Sequence, residues 1–137
     1  MKLLIVTPAG QSILIDTGNP GTRDAGRIHE VATKRAKLKK IDFLITTHFH
    51  GDHFGGAATL AQLMPIGIVN DNGIPLRNPD RNRQDPAFIL KVRPYRSMKV
   101  DGRVVVKPGY QLDLDQVNST DGHFAPVKCT IVAANRK

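Results

Sequence analysis

The segment from His48 to His53 contains the residues of this chain that are best suited to metal chemistry. It reads His-Phe-His-Gly-Asp-His, so that three of the 5 histidines lie beside one carboxylate. Imidazole nitrogens and carboxylate oxygens are the ligands that zinc and similar divalent metals take in proteins. A polar turn with solvent-facing histidines is the alternative interpretation. Metal binding is favoured because such a turn does not require this residue set directly after a buried strand.

The spacing of the four candidate ligands predicts two adjacent metal positions. In an extended segment residues two apart point the same way, so His48 and His50 would converge on one point. Gly51 permits a sharp turn that would bring Asp52 and His53 to a second point. Two metals about 3.5–4 Å apart could then share a bridging water. The predicted ligands are His48, His50, Asp52 and His53, with zinc as the preferred metal and iron or manganese as alternatives.

The elements that must position this segment alternate between strands and helices. Strands are indicated by short runs of β-branched and aromatic residues, and helices by apolar residues three or four apart. The predicted order is a strand before Pro8, a strand at Ser12–Asp16, a helix at Arg23–Lys40, a strand at Ile41–Thr46, a helix at Ala57–Met64 and a strand at Ile66–Val69. Ile28, Val31 and Ala32 are predicted to form the buried edge of the first helix. This alternation predicts an α/β fold.

The second half of the chain gives weaker structural signals. A loop is predicted between Ile74 and Asp85, followed by a helix that begins at Pro86. This helix is expected to be interrupted at Pro94, because proline lacks the N–H of a helical hydrogen bond. Further strands are predicted at Arg103–Lys107, Tyr110–Leu114 and Val127–Ala134.

A basic segment within this second half could contact an anionic substrate. Arg93, Tyr95 and Arg96 are candidate substrate-binding residues, because guanidinium groups bind anions and a tyrosine ring can stack on a base. A solvated basic loop is the alternative. The formal net charge of +8 is compatible with a nucleic-acid partner, but it could also serve solubility alone.

Length and composition indicate a single domain. A chain of 137 residues can bury about two thirds of its unfolded surface, so we expect one domain spanning 1–137. The single cysteine, Cys129, excludes an internal disulfide, and its apolar neighbours favour a core thiol. The first apolar run is too short for a membrane span and is a poor secretory signal. We therefore expect a soluble protein and favour the cytoplasm.

Two motifs resemble landmarks of the metallo-β-lactamase superfamily. They are the histidine segment 48–53 and the sequence Leu14-Ile15-Asp16-Thr17-Gly18. The resemblance implies an αββα sandwich whose metal site lies at the edge of its two sheets. It also implies that Asp16 supports the metal-binding loop from behind, although a turn-capping carboxylate would equally explain an Asp at a strand end.

The same resemblance implies a metal-dependent hydrolase, with zinc as its cofactor. In such a site Asp52 would be catalytic, since it would hold the water-derived nucleophile and help to transfer protons. The expected substrates contain an ester, thioester, lactone or phosphodiester bond.

The later ligands of a complete site are not evident in this sequence. After His53 the remaining histidine is His123, which is a further candidate metal ligand. We therefore expect the chain to represent the N-terminal half to two thirds of the sandwich. A second copy in a homodimer could complete the ligand set.

Two other functions are kept as alternatives. Residues 104–117, VVVKPGYQLDLDQV, resemble a hairpin of the competence-protein (ComEC-like) branch of the superfamily. Together with the positive net charge, this would favour a nucleic-acid-directed phosphodiesterase or DNA-uptake module. The missing ligands would instead favour a non-catalytic metal-binding fragment.

Overall fold

The structure, a computed structural model, describes residues 1–81, 83–117 and 126–134. In these residues five strands form one sheet in chain order: β1 (Leu3–Val6), β2 (Ser12–Ile15), β3 (Ile41–Ile45), β4 (Ile66–Asp71) and β5 (Gly102–Val105). The first two strands form an antiparallel hairpin, and the later pairs are parallel. Strands β1 and β5 are therefore the two edges of the sheet.

Helices connect the parallel strands, as parallel pairing requires. Those of the described residues are α1 (Thr22–Glu30), α2 (Gly51–Phe54), α3 (Ala57–Leu63) and α4 (Pro86–Ser97). Helix α1 continues into a π-helical turn, Val31–Arg35. The predicted α/β class is confirmed by this order of elements.

The main core lies between the sheet and these helices. Leu14 of β2 and Leu44 of β3 are 1% and 0% exposed, and they contact the buried residues of the helices. The helical side contributes Ala25, Ile28, Ala32, Phe54, Ala57, Leu60, Phe88, Val92 and Tyr95. Alternate residues of a strand point to opposite faces, so the neighbours of Leu14 and Leu44 face away from the helices.

A smaller cluster covers the other face of the sheet. Ile13, Phe43 and Ile45 contact Leu112 and Leu114, which belong to an irregular segment that follows β5. Cys129 packs at the margin of this cluster, and burial raises the pKa of its thiol.

The strands predicted at Tyr110–Leu114 and Val127–Ala134 are wrong. The two segments meet in one isolated bridge, between Gln111 and Thr130, and form no further ladder in the described residues. Residues 104–117 do not form the hairpin that they resemble, since no strand follows β5 there and β5 pairs only with β4 in the described residues. Strand β5 pairs with β4 in parallel and forms an edge of the sheet. The segment that follows β5 therefore covers the apolar face of the sheet.

Two predictions about helices are corrected by the structure. The first helix ends before Lys40, because Lys37 adopts a left-handed φ of 56° and the N–H of Leu38 turns back to the carbonyl of Ala32. Val31 is 48% exposed, since the buried line runs through Ala25, Ile28 and Ala32 and passes beside it.

Helix α4 continues through Pro94 instead of breaking there. The proline removes a hydrogen bond to the carbonyl of Leu90, a residue on the solvent side that is 64% exposed. Water can satisfy that carbonyl, so the helix persists. None of the helices in the described part of the chain has the length and apolar character needed to cross a membrane.

Candidate metal centre

The histidine loop, defined here as Thr47–Phe54, leaves the sheet where β2, β3 and β4 end together. The N–H of Thr46 donates to the carbonyl of Asn70 (2.9 Å), and the N–H of Asp16 donates to the carbonyl of Ile45 (2.9 Å). These bonds carry the parallel ladders one residue past the strands. The carboxyl ends of parallel strands are the usual place for ligand sites in α/β sheets.

Phe49 anchors the histidine loop in the main core. Its side chain is 4% exposed, and its ring centroid lies 5.4 Å from that of Phe54 and 5.2 Å from that of Tyr95. Because neighbouring side chains of an extended segment point to opposite sides, burying Phe49 turns His48 and His50 outward. Both imidazoles are half-buried at the surface.

Asp16 lies directly beneath the loop, in a left-handed conformation with φ 59°. Its Oδ1 accepts from the N–H of Thr47 (2.9 Å), and its Oδ2 accepts from the hydroxyl of Thr47 (2.7 Å). The Nδ1 of His53 lies 2.8 Å from the same Oδ2. An ionised carboxylate only accepts, so Nδ1 of His53 carries a proton, and in the neutral ring Nε2 is the nitrogen with a free lone pair. Asp16 thus both fastens the turn and contacts a histidine of the loop, and its role behind a bound metal stays a prediction.

Thr47 determines in the same way which ring nitrogen of His48 carries the proton. The hydroxyl of Thr47 donates its proton to Asp16. In the contact with His48 (3.0 Å) the hydroxyl oxygen must therefore accept, and Nδ1 of His48 donates. Nε2 of His48 is then the nitrogen without a proton. Burial, followed by the neighbouring imidazoles of His53 and His50, lowers the pKa of His48. The lowered pKa favours the neutral form that binds metals.

The candidate ligands cluster, and their division into two metal positions stays a prediction. The ring centroid of His48 lies 3.8 Å from that of His53 and 4.6 Å from that of His50. Asp52 is exposed, and its Oδ2 lies 3.6 Å from Nε2 of His53. The Nε2 of His50 is instead 2.7 Å from Oδ1 of Asp80.

The donor set fits a divalent metal by its chemistry. His48 and His53 each present an unprotonated Nε2, and Asp52 places a carboxylate beside the second of them. Within the described residues no three His, Cys, Asp or Glu side chains already converge on one metal position. The assignment of His48, His50, Asp52 and His53 as ligands stays a prediction, and His123 lies outside the described residues.

The predicted role of Tyr95 in substrate binding is wrong. Its side chain is 1% exposed, and its hydroxyl donates to Oδ2 of Asp71 (2.8 Å) and lies 3.0 Å from Oγ1 of Thr46. Burial, with the negative charge of Asp71 nearby, raises its pKa far above the ordinary range. Arg93 and Arg96 are exposed on α4, and their substrate role stays a prediction.

Tyr95 is instead a support of the loop that the sequence reasoning missed. Its hydroxyl ties α4 to the ends of β3 and β4, one residue before the histidine loop begins. A signal was present, since Phe88, Val92 and Tyr95 follow helical spacing and form the buried line of α4. The buried Asp71, at the end of an apolar strand, is its partner.

A second missed support is the turn that follows Asp16. The buried carboxylate of Asp24 accepts from the N–H of Asn19 (2.9 Å), from Arg23 (3.1 Å) and from Lys2 (3.2 Å). The Asn19 bond, then those from Arg23 and Lys2, hold the pKa of Asp24 well below its usual range.

This turn is bonded directly to the histidine loop and to the residues after it. The N–H of Thr17 donates to the carbonyl of His53 (2.7 Å), and the N–H of Gly56 donates to the carbonyl of Gly18 (3.1 Å). A Cβ at Gly56 would collide with the carbonyl of Thr17, so a glycine is required at this close approach.

Comparison with known proteins decides the family. The model of the family described as the metallo-beta-lactamase superfamily matches residues 3–121 of this chain. The chain belongs to the metallo-beta-lactamase superfamily. The sheet with helices on one face corresponds to part of the αββα sandwich implied by the two sequence motifs, and the recognition of the superfamily is confirmed. Nothing in these comparisons bears out the narrower ComEC-like branch.

Relatives within the superfamily are similar to part of the chain. A UPF0173 metal-dependent hydrolase of Cupriavidus metallidurans is 38% identical over 73 residues, which cover 51% of this chain and 23% of the relative. A hydroxyacylglutathione hydrolase of Rhodopseudomonas palustris is 37% identical over 73 residues, covering 51% and 26%. A ribonuclease Z of Thermococcus onnurineus is 36% identical over 57 residues, covering 42% and 16%. The matched part thus spans about a quarter or less of each relative.

Proposed function

We propose that this chain is a metal-dependent hydrolase whose histidine loop binds one or two divalent ions, with zinc preferred. His48, His50, Asp52 and His53 are the proposed ligands, and Asp52 is the proposed catalytic residue. The chain of hydrogen bonds from Asp16 to His53, and through Thr47 to His48, carries this proposal. It holds two imidazoles from behind at Nδ1, which is how metal-binding histidines are commonly oriented.

The proposed chemistry divides between the metal and the side chains around it. A bound zinc ion supplies Lewis acidity toward the substrate oxygen and toward water. Asp16 and Thr47 select the tautomers of His53 and His48 in which the proton of the neutral ring lies on Nδ1 and the outward Nε2 can bind a metal. Asp52, exposed beside His53, is proposed to accept a proton at its carboxylate. Phe49 and Tyr95 exclude water from the underside of the loop and keep its backbone in place.

The proposed substrates contain an ester, thioester, lactone or phosphodiester bond. The similar proteins include one named a hydroxyacylglutathione hydrolase and one named a ribonuclease Z, and these names motivate testing both acyl and phosphoryl substrates. Arg93 and Arg96 on α4 are proposed to contact an anionic group of the substrate.

The experiment is a calorimetric titration of the metal-free chain with zinc, manganese and iron(II). We expect the wild-type chain to bind metal. The double variant His48→Ala/His53→Ala should bind at least about 100-fold more weakly, since each of the two substitutions removes a nitrogen donor. His29→Ala, a half-buried histidine on α1, is the matched control and should leave affinity unchanged. Absence of metal binding by the wild-type chain, or an equal loss in the control, would contradict the proposal.

Turnover then separates catalysis from binding. The loaded chain is offered an activated ester, a thioester and an activated phosphodiester, and Asp52→Asn is measured beside the wild type. Hydrolysis that falls at least about 100-fold in Asp52→Asn supports the catalytic assignment. Metal binding without turnover of any of the three would support a non-catalytic metal-binding fragment instead.

A nucleic-acid substrate is the second candidate function, motivated by exposed cations. Lys34, Arg35, Lys37, Lys39 and Lys40 are exposed at and beyond the end of the first helix, and the net charge is +8. Binding of labelled DNA and RNA, measured by fluorescence anisotropy, should weaken steeply as salt is raised. Absent or salt-insensitive binding would exclude this candidate and leave the cations as a solvated surface.

A further inference from the structure

His50 is held by a residue that lies far away in the sequence. Its Nε2 is 2.7 Å from Oδ1 of Asp80, which belongs to the loop between β4 and α4. The two side chains remain 42% and 65% exposed. An exposed pair of this kind adds little to folding stability, so its geometry calls for a different explanation.

The turn that carries Asp80 is built without any help from His50. The N–H of Asp80 donates to Oδ1 of Asn78 (2.9 Å), and the N–H of Asn78 donates to the carbonyl of Arg83 (3.0 Å). The side-chain amide of Asn78 donates to Oδ2 of Asp85 (2.7 Å). Asp85 also caps α4 by accepting from the N–H of Ala87 (3.0 Å). A series of hydrogen bonds therefore fixes Asp80 to the start of a helix.

We propose that Asp80 is a positioning residue for His50: its carboxylate takes the Nε2–H of the imidazole and leaves Nδ1 as the nitrogen that faces a metal. This inference rests on the proposed function for the use of that nitrogen, but not for its protonation state. A carboxylate accepts hydrogen bonds, so it stabilises the tautomer whose proton points at it.

The two carboxylates around the histidine loop then select opposite ring nitrogens. Asp16 takes Nδ1 of His53 and frees Nε2, whereas Asp80 takes Nε2 of His50 and frees Nδ1. The free nitrogen of His50 lies close to its own backbone, and that of His53 lies at the far end of its ring. The free nitrogens thus lie at different distances from the backbone. This difference allows His50 and His53, which belong to one short loop, to present nitrogens to a common region.

The first test is the tautomer of His50 in the metal-free chain, read from nitrogen-15 chemical shifts of the imidazole in weakly alkaline buffer. The wild type should show the proton on Nε2. Asp80→Ala should shift His50 toward a mixture of tautomers, and Asp80→Asn, which keeps an acceptor oxygen, should retain part of the preference. An unchanged tautomer in Asp80→Ala would overturn the inference.

The second test is zinc affinity, with Asp101→Ala as the matched control. Asp101 is an exposed carboxylate at the opposite end of the sheet, just before β5, so its removal changes the charge equally. Asp80→Ala should lower zinc affinity by about 10–100-fold, as loss of an orienting partner does. An equal loss in Asp101→Ala would show a charge effect and contradict positioning. A wild-type chain without zinc affinity would defeat the proposed function, while the tautomer would still decide the role of Asp80.

Discussion

The inner side of the histidine loop is apolar and buried, whereas its outer side is polar and open to solvent. Phe49 and Phe54 are each 4% exposed, while Asp52 is exposed and His50 is half-buried. The two sides alternate along a few consecutive residues. The inner side contributes folding free energy through the core, and the outer side contributes little. The comparison teaches that the backbone of the loop is held by the fold, so its polar side chains can serve chemistry.

The largest expected effect is on the inner side. Phe49→Ala should lower the free energy of unfolding by about 3–5 kcal/mol, because it empties a packed aromatic site between Phe54 and Tyr95. Urea denaturation measures this loss. Leu90→Ala, on the exposed side of α4, is the control and should change it by less than about 0.5 kcal/mol. A small effect of Phe49→Ala would show that the inner side of the loop contributes no more folding free energy than the outer side.

Asp16→Asn changes the carboxylate that joins the backbone of the histidine loop to His53. Its effect on the free energy of unfolding should be intermediate. The amide cannot accept from Thr47 and His53 as the carboxylate does, so we expect a loss of about 1.5–3 kcal/mol in unfolding free energy. Zinc affinity should fall by about 10–100-fold. Asp42→Asn, a carboxylate that bonds Ser12 near the opposite end of β2, is the control. Zinc affinity equal to that of the control would show that Asp16 only fastens the turn.

The smallest effect concerns Tyr95 and depends on pH. Tyr95→Phe should lower the free energy of unfolding by about 1–3 kcal/mol, since Asp71 loses a buried donor. The pKa of the folded-state hydroxyl is raised above the ordinary value of 10.0, so the unfolded chain releases this proton first. Stability from this group is therefore full below about pH 10 and falls as the pH rises above that value.

Denaturation curves across this pH range check the prediction. The alkaline loss of stability should be smaller in Tyr95→Phe than in the wild type. Tyr110→Phe, a half-buried tyrosine in the irregular segment, is the matched control and should keep the wild-type profile. Parallel profiles for the wild type and Tyr95→Phe would show that the hydroxyl is not part of the inner support.

Local patterns sufficed for the elements that surround the histidine loop. Runs of apolar residues located β2, β3 and the helices on either side, and the resemblance to the superfamily indicated that Asp16 lies beneath the histidine loop. Features that depend on distant partners were missed. Tyr95 bonds Thr46 across 49 positions, and Asp80 reaches His50 across the loop that follows β4. No local periodicity reports such contacts.

The wrong predictions share a related cause. A proline rule based on a lost hydrogen bond fails at Pro94, because the carbonyl concerned belongs to Leu90, a residue that is 64% exposed. Apolar alternation in 110–114 and 127–134 reflects burial against the second face of the sheet. The two segments share a few backbone hydrogen bonds, such as that from the N–H of Leu112 to the carbonyl of Cys129 (3.0 Å), but only one isolated bridge in the part of the chain that the structure describes. Alternation reports which side of an extended segment is buried, whereas ladder formation depends on a neighbour with free N–H and C=O groups.

Strand β1 has a consequence for handling the molecule. It is an edge of the sheet in the described residues, and Leu3, Ile5 and Val6 are 44%, 39% and 44% exposed. An open edge with apolar side chains is a template on which another extended segment can add. Concentrated solutions of the isolated chain should therefore self-associate through this edge, and a lysine introduced at Ile5 would oppose it by placing charge where two copies would meet.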